Sequence, residues 1–234
     1  MNIKTILQAL ILVILGILYY LYMNTPSFEQ VQVESVIDGD TIALTNGLKV
    51  RLLGINTPEK DMPGYQIAKN YLSEIAADNV IYIDRKGTDR YGRLLAYIFT
   101  KEENKNVNAM ILEQGYGHLY YYDKDKYYKE LEKSETHARE NNRGIWEPSP
   151  YTTCLFLVEL NYYDKGDDVE TLTVENNCAQ ELDIIIKDDA THIYKETISL
   201  GSFTKEFKNI FNDDGDTLYV WDEDGKLIVF HRYE

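Results

Sequence analysis

The sequence predicts a chain of several domains: an apolar N-terminal helix, a small closed β-barrel with three helices (an α+β unit), and an all-β sandwich. Residues 6–23 are almost wholly apolar. Residues 31–146 read as three strands, a helix, two strands and two helices. After residue 154, strand-like runs and turn signals alternate without a helical pattern. The predicted boundaries are 1–24 for an anchor, 25–30 for a linker, 31–149 for the barrel and 150–234 for the sandwich.

The N-terminal run from Ile6 to Met23 is interrupted by one strongly polar residue, Gln8. Its length is at the short end of what crosses a bilayer as a helix. Lys4 precedes the run and Glu29 follows it, so the weak charge bias orients the N-terminus inward. We therefore expect a single-pass transmembrane helix with the remaining chain outside the cell membrane. Secretion after cleavage of a signal peptide is the alternative, although no small-residue cleavage site follows the run.

The barrel domain is predicted from five strands and three helices. The strands are expected at 31–36, 41–44, 48–55, 80–83 and 94–99, and the helices at 65–76, 107–114 and 127–141. A small closed antiparallel barrel with helices packed on it fits this order, and the OB-fold is the five-stranded member of that class. An open α+β sandwich fits the bare pattern nearly as well.

The sandwich is predicted from short strands at 154–160, 169–174, 182–186, 197–200, 217–221 and 227–230. It contains both cysteines of the chain, Cys154 and Cys178. Outside the membrane these two residues could form a disulfide. They could equally be two small buried apolar residues, and sequence alone leaves both interpretations open.

The formal net charge of −15 argues against a protein that binds nucleic acid through a large basic field. The acidity is concentrated in the last third, where residues 151–234 include 7 basic and 19 acidic side chains. Chemistry on anions is therefore expected in the barrel domain.

Several polar residues in the barrel domain occupy the ends of predicted strands or the turns beside them. They are Asp38, Asp40, Arg51, Glu59 and Arg93. Two guanidinium groups can stabilise the charge that develops on a phosphodiester, and a carboxylate can orient or deprotonate the attacking water. Further acidic oxygens can hold a hard divalent cation. Taken singly, each residue is more typical of a turn or a surface ion pair.

The motifs "VIDGDTIAL", "RLLGINTPE" and "TDRYGRLLAYIF" occur in this order and are followed by "NAMILEQGYG" and "YYKELEKSETHARENNRGIW". Over residues 31–146 the chain resembles the staphylococcal nuclease (thermonuclease) family. The resemblance implies an OB-fold enzyme that depends on Ca2+ and hydrolyses DNA and RNA at the P–O5′ bond to leave 3′-phosphates.

The resemblance also assigns roles to individual residues. Arg51 and Arg93 match the two catalytic arginines, and Glu59 matches the proposed general base. Asp40 matches a calcium-ligating aspartate, and Thr57 matches the residue that ligates calcium through its backbone carbonyl.

One position departs from the family pattern. Asn56 stands where well-studied members have a calcium-ligating aspartate, so one negative charge is lost and weaker calcium binding is expected.

The resemblance further implies contacts with the nucleotide. Asp89, Arg90 and Tyr91 correspond to a loop that lies near the 5′-phosphate. Tyr121 falls roughly where an aromatic ring packs on the base, in a tyrosine run that makes the register ambiguous.

The last third resembles a lamin-tail domain, which is an immunoglobulin-like sandwich. The motifs are "LTVENNCAQELDI", "LGSFTKEF" and "GDTLYVWDEDGKLIVFHRY". Such a domain is expected to tether the protein or bind a partner, whose identity the sequence does not indicate.

The sequence therefore predicts an outward-facing, membrane-anchored nuclease acting on DNA or RNA, of unspecified oligomeric state. Two alternatives are a barrel that binds nucleic acid without cutting it and a cell-surface interaction protein in which the sandwich is the active part. The joint presence of Arg51, Glu59 and Arg93 favours the nuclease, because a pure binding module does not need that set.

Overall fold

A computed structural model describes residues 10–17, 19, 28–77, 79–101, 104–121, 123–162, 169–213 and 215–233, and residues 10–17 are helical. The predicted anchor, residues 1–24, and part of the linker lie largely outside these described residues. Among the described helices, none combines the length and apolarity needed to cross a membrane.

The first domain is built on a closed five-stranded barrel, as predicted. The strands of this domain are β1 (Glu29–Val36), β2 (Thr41–Leu44), β3 (Lys49–Leu52), β4 (Ile55–Asn56), β5 (Val80–Thr88), β6 (Leu94–Phe99) and β7 (His118–Leu119). The barrel order is β1-β2-β3-β6-β5, closed by the β1–β5 pairing, while β4 and β7 form a separate two-stranded sheet. The β3–β6 pair is parallel and the other barrel pairs are antiparallel.

Alternating apolar residues of the barrel strands point inward and form the core. The fully buried members include Val33, Ile42, Leu44, Val50, Leu52, Ile81, Ile83 and Ile98. Burying a side chain of this size contributes roughly 1.5–3 kcal/mol, so this core is the main source of barrel stability.

Three helices pack on the barrel, in agreement with the prediction. They are α1 (Tyr65–Ala76), α2 (Val107–Glu113) and α3 (Tyr128–Glu140). The side chain of Asn106 accepts a hydrogen bond from the backbone N–H of Ala109 and so caps the start of α2.

The predicted third strand, 48–55, is broken in the structure, and this corrects the expectation of one continuous strand. Gly54 has φ of 76° and separates β3 from β4. A Cβ atom at Gly54 would lie 2.4 Å from Cδ1 of Leu131, so α3 packs where a side chain would otherwise be. After this turn, Asn56 pairs with His118 of β7, outside the barrel wall. Arg51 and Glu59 therefore lie on different elements.

The second domain is a seven-stranded sandwich. Its strands are β8 (Leu155–Asn161), β9 (Glu170–Asn176), β10 (Leu182–Lys187), β11 (Ile193–Ile198), β12 (Gly201–Phe207), β13 (Asp216–Asp222) and β14 (Leu227–Tyr233). One sheet has the order β11-β10-β13-β14 and the other β12-β9-β8. Cys154 and Cys178 form a disulfide with their Cα atoms 4.9 Å apart. This pairing settles the alternative that the sequence left open.

The predicted strand at 197–200 is correct only in its first half. Strand β11 includes residues 197 and 198, whereas residues 199 and 200 form the turn before β12, which starts at Gly201. Leu200 is 60% exposed, and Gly201 has φ of 92°. The apolar residues that suggested a strand therefore belong to the end of one strand and to a turn.

The four-stranded sheet of the sandwich packs its outer face against the barrel domain. The shared apolar cluster contains Ala138, Ile145, Trp146, Ile185, Tyr219 and Trp221. The indole N–H of Trp221 donates to the carbonyl of Ile145 at 2.9 Å. Two backbone hydrogen bonds also join the domains. The Leu227 N–H donates to the backbone carbonyl of Glu147 at 2.7 Å, and the Ser149 N–H donates to the backbone carbonyl of Leu227 at 2.8 Å. The two domains thus share a buried interface.

Candidate active site

Asp40 is a buried carboxylate that connects the β1–β2 turn to the segment after β4. Its Oδ2 atom accepts hydrogen bonds from the backbone N–H and the hydroxyl of Thr57, both at 3.0 Å. Its Oδ1 atom accepts one from the Thr41 hydroxyl at 3.1 Å. These bonds fix Thr57, and therefore the direction in which the chain proceeds to Glu59.

Arg51 of β3 lies against Asp40, and its Nη2 atom is 3.2 Å from Asp40 Oδ2. The same nitrogen donates to Asn56 Oδ1 at 3.1 Å. Nη1 donates to the carbonyls of Leu52 and Ile55 at 2.8 and 3.0 Å. The guanidinium thus braces the broken β3–β4 junction as well as lying beside the acidic turn.

Asn56 is 2% exposed, and both the oxygen and the nitrogen of its side-chain amide form hydrogen bonds. While its oxygen faces Arg51, its Nδ2 atom donates to the backbone carbonyls of Asp189 and Ala190 at 3.2 and 2.8 Å. Those carbonyls belong to the sandwich. A predicted metal ligand of the barrel is therefore a contact between domains.

The side-chain oxygens of Asp40 and Asn56, two of the residues predicted to ligate calcium, already accept hydrogen bonds within the protein. Both oxygens of Asp40 accept hydrogen bonds, and the oxygen of Asn56 is directed to Arg51. Within the described part of the chain, no cluster of three His, Cys, Asp or Glu residues is arranged to hold a metal. The arrangement of Asp40, Asn56 and Thr57 thus does not fit a strong calcium site, which requires several oxygen ligands.

Asp38 adds a second carboxyl group to the same turn and accepts the backbone N–H of Asp40 at 3.1 Å. Burial, together with the negative charge of Asp40, raises the pKa of Asp38 to about 6. The turn therefore concentrates negative charge beside Arg51.

Glu59 lies in a pocket at the boundary between the two domains. The barrel side of the pocket includes Thr57, Glu59 and His118, and the sandwich side includes Lys187 and Ile193. Glu59, the carboxylate predicted to take part in the reaction, thus shares its pocket with residues of the second domain.

Lys187 and His118 form the buried polar part of this boundary. The Lys187 ammonium group donates to Nε2 of His118 at 3.2 Å and to the carbonyl of Asp188 at 2.8 Å. Burial lowers the pKa of Lys187 to about 8, although nearby carboxylates that include Glu59 oppose this. Burial also lowers the pKa of His118 well below its usual value, and the positive charge of Lys187 acts in the same direction.

Arg93 lies in the turn between β5 and β6, and its side chain is 32% exposed. Its Nε atom donates to Oδ2 of Asp89 at 2.6 Å, and its backbone N–H donates to Oδ1 of Asp89 at 2.9 Å. Although burial acts to raise it, the pKa of Asp89 is lowered by these hydrogen bonds and by the charge of Arg93. Asp89 therefore holds Arg93 as an ion pair.

The β3–β6 register relates the two arginines. Arg51 is directly opposite Leu95 in this parallel pair. Arg93 lies two residues before Leu95, in the turn that leads into β6. Both predicted catalytic arginines therefore belong to the β3–β6 pair or to the turn next to it.

The predicted nucleotide-contacting residues occupy two places. Tyr91 is 69% exposed, and the guanidinium groups of Arg90 and Arg93 lie 4.9 and 5.5 Å from its ring centre. Tyr121 lies apart from that loop, and its hydroxyl bonds to Asp125 at 2.5 Å and to Tyr97 at 3.0 Å. The structure therefore groups the 89–93 loop and separates Tyr121 from it.

Sequence reasoning missed the contribution of the sandwich to this site. Lys187 is 128 positions after Glu59, and no local motif connects them. His118 lies in none of the predicted site motifs, yet it is 2% exposed and faces Lys187. The pairing of β4 with β7, which brings His118 beside Asn56, involves strands too short to recognise from sequence periodicity.

Comparison with known proteins agrees with this geometry. The family model described as "Staphylococcal nuclease homologue" matches residues 49–148. The thermonuclease of Staphylococcus intermedius is 31% identical over 131 residues, covering 51% of this chain and 77% of the relative. Endonuclease YncB of Bacillus subtilis is 31% identical over 144 residues, covering 56% and 67% of the two chains. An uncharacterised endonuclease of Haemophilus influenzae is 33% identical over 120 residues, covering 49% of this chain and 65% of the relative.

A domain built on a closed five-stranded barrel that carries Arg51, Arg93 and Glu59 defines a class of phosphodiester-hydrolysing nucleases. The chain belongs to the family of staphylococcal nuclease homologues. The family match ends at residue 148, so it does not extend into the sandwich. The resemblance of the sandwich to a lamin-tail domain stays a prediction.

Proposed function

We propose that this chain is a nuclease that hydrolyses phosphodiester bonds of DNA or RNA. The observation that carries the proposal is the continuous polar connection from Arg51 through Asp40 to Thr57, with Glu59 two residues further on. Arg93 lies in the turn that leads into β6, and β6 pairs with the strand that carries Arg51. These groups supply the charges that the hydrolysis of an anionic ester requires.

In the proposed reaction, the arginines bind the phosphate oxygens and stabilise the charge that develops on them. Glu59 orients a water molecule and accepts its proton as the water oxygen attacks phosphorus. The P–O5′ bond breaks, the leaving oxygen takes up a proton, and the other product ends in a 3′-phosphate. The exposed 89–93 loop is the proposed contact for the nucleotide's 5′-phosphate.

The proposal also includes a dependence of the reaction on calcium. It is supported by the resemblance at Asp40 and opposed by the hydrogen bonds that occupy Asp40 and Asn56. With a single carboxylate among the three predicted ligand residues, we expect calcium to bind at the weak end of the protein range, with Kd of roughly 10⁻⁴ to 10⁻³ M. When bound, the cation would neutralise phosphate charge.

Location in the cell membrane with the nuclease domain outside is likewise proposed. Two features support it: the apolar run at residues 6–23 and the disulfide between Cys154 and Cys178. Disulfides persist in oxidising compartments and are rare in the cytosol. Tethering through the sandwich to a further partner is a weaker proposal that rests on the lamin-tail resemblance.

The experiment that tests the proposed function uses residues 27–234, assayed on single-stranded DNA, double-stranded DNA and RNA, each with millimolar calcium or with a chelator. We expect cleavage products with 3′-phosphate ends, and activity that increases over the millimolar calcium range. Binding of nucleic acid without any cleavage, in millimolar calcium, would overturn the proposal in favour of a non-catalytic binding protein.

A further inference from the structure

The amide of Asn56 is the point where the barrel domain meets the loop at 188–192, which joins β10 to β11. This loop presents two backbone carbonyls, those of Asp189 and Ala190, to the two hydrogens of one amide nitrogen at 3.2 and 2.8 Å. The contact is buried on the barrel side, because Asn56 is 2% exposed.

The 188–192 loop is held in place by contacts within the sandwich. The backbone N–H of Asp189 donates to Asp216 at 3.0 Å. The carboxylate of Asp189 accepts hydrogen bonds from the hydroxyls of Thr217 and Tyr219 at 3.0 and 2.9 Å. A loop fixed in this way presents its carbonyls in a defined direction, so the partner at position 56 must be a donor.

Lys187 anchors the same loop from inside the sandwich. Its ammonium group donates to the carbonyls of Asp188 and Ala190 and to His118 of the barrel domain. The carbonyl of Ala190 therefore accepts hydrogen bonds from both Lys187 and Asn56. Lys187 as a whole is 3% exposed, and it lines the pocket that contains Glu59.

At position 56, an amide and a carboxylate would interact differently with the two carbonyls of the 188–192 loop. An amide nitrogen has two donor hydrogens, whereas an ionised carboxylate has none. An aspartate here would place a charged oxygen against two carbonyl oxygens at hydrogen-bonding distance, and burial would strengthen the repulsion. The residue that departs from the metal-binding pattern of the family is thus the residue type that the sandwich loop requires.

We propose that Asn56 is a positioning residue that docks the 188–192 loop of the sandwich onto the barrel, so that Lys187 becomes part of the active-site wall beside Glu59. The docking follows from contacts between the domains. The consequence for catalysis rests on the proposed nuclease function.

The test compares Asn56→Asp and Asn56→Ala with a matched control, Asn46→Asp, in the chain of residues 27–234. Asn46 accepts a hydrogen bond from Leu48 N–H through its side-chain oxygen, which a carboxylate does equally well. Amide hydrogen exchange of the peptide covering 188–192 is followed by mass spectrometry. We expect exchange about tenfold faster or more in Asn56→Asp, a smaller change in Asn56→Ala, and none in Asn46→Asp. Unchanged exchange in Asn56→Asp overturns the docking.

Kinetics and calcium titration supply a second readout. We expect Asn56→Asp to lower kcat, because Lys187 would no longer be held beside Glu59. A gain in calcium affinity with undisturbed loop exchange would instead assign Asn56 to the metal site and overturn the proposal. If Asn56→Asp does not fold, Asn56→Ala decides: exchange of residues 188–192 faster than in the wild type supports the docking, and equal exchange contradicts it. Failure of the wild-type chain to cleave nucleic acid removes the catalytic part while the exchange result still decides the docking.

Discussion

Glu135 of α3 and Arg232 of β14 form a bidentate ion pair between the barrel domain and the sandwich, with oxygen–nitrogen distances of 2.7 and 3.0 Å. The Glu135 side chain is 1% exposed, and its Oε1 atom also accepts the backbone N–H of Leu119 at 2.7 Å. Because Leu119 belongs to β7, the pair connects the sandwich to the strand that carries His118. The charge pair is therefore part of the structure that shapes the pocket around Glu59.

Removing one partner of this pair should destabilise the whole chain. Glu135→Gln leaves a guanidinium that is largely buried and without its counter-charge, so we expect a loss of about 3–5 kcal/mol in the free energy of unfolding. Urea unfolding of residues 27–234 measures it. The matched control is the exposed pair Lys226–Glu147, at 2.9 Å, where Lys226→Met should change the free energy of unfolding much less because solvent screens the two charges. Equal effects of the two substitutions would show that the two domains are coupled weakly.

The two arginines should respond differently to replacement by lysine. Arg93 is 32% exposed and its hydrogen bonds are local, so Arg93→Lys should lower kcat by about 10²- to 10³-fold with little change in the melting temperature. Arg51 also donates to the carbonyls of Leu52 and Ile55, so Arg51→Lys should lower both kcat and the melting temperature. The exposed Arg85 provides the control substitution, Arg85→Lys. Full activity of Arg93→Lys would remove that residue from the proposed reaction.

Loss of the disulfide should weaken the sandwich. The bond joins residues 24 positions apart, and releasing a loop of that size costs about 3 kcal/mol in the chain-entropy model. The free energy of unfolding of Cys154→Ser/Cys178→Ser, compared with that of the oxidised wild type, gives the value. Reducing agent should lower the stability of the wild type and leave the variant unaffected. If reducing agent leaves the free energy of unfolding of the wild type unchanged, the pairing is contradicted.

His118 should make stability fall in acid. Burial lowers the pKa of His118 in the folded state, so below about pH 6.5 the unfolded chain binds a proton that the folded chain does not. The free energy of unfolding should therefore decrease as pH decreases below about 6.5. His118→Gln should lose less stability over the same interval. Parallel pH profiles for the two chains would mean that His118 titrates normally.

Much of the barrel was predictable because its signals are local. The apolar alternation of β1, the continuous apolar run of β6 and the helical spacing of α1 mark their elements in short windows of sequence. The break at Gly54 was not predictable in this way, because it depends on Leu131 from a helix far along the chain. Likewise, the sequence shows Tyr121 within a run of tyrosines, but only the fold shows that its hydroxyl bonds to Tyr97 and Asp125.

The composition of the site could be predicted only in part. The motifs identified Asp40, Arg51, Asn56 and Thr57, and the structure brings these four together. The reason for an amide at position 56 lies in two carbonyls more than 130 residues away. Contacts of such long range leave no spacing pattern, and the family resemblance does not include the sandwich.

The most direct test of the proposed nuclease function is the cleavage rate of Glu59→Gln relative to wild type. The substitution preserves the size of the side chain and removes its capacity to accept a proton, while Glu34→Gln, on the exposed face of β1, provides the same change away from the site. We expect a rate about 10²- to 10⁴-fold lower for Glu59→Gln with nucleic-acid binding retained, and an unchanged rate for Glu34→Gln. A Glu59→Gln enzyme that cleaves at the wild-type rate would contradict it.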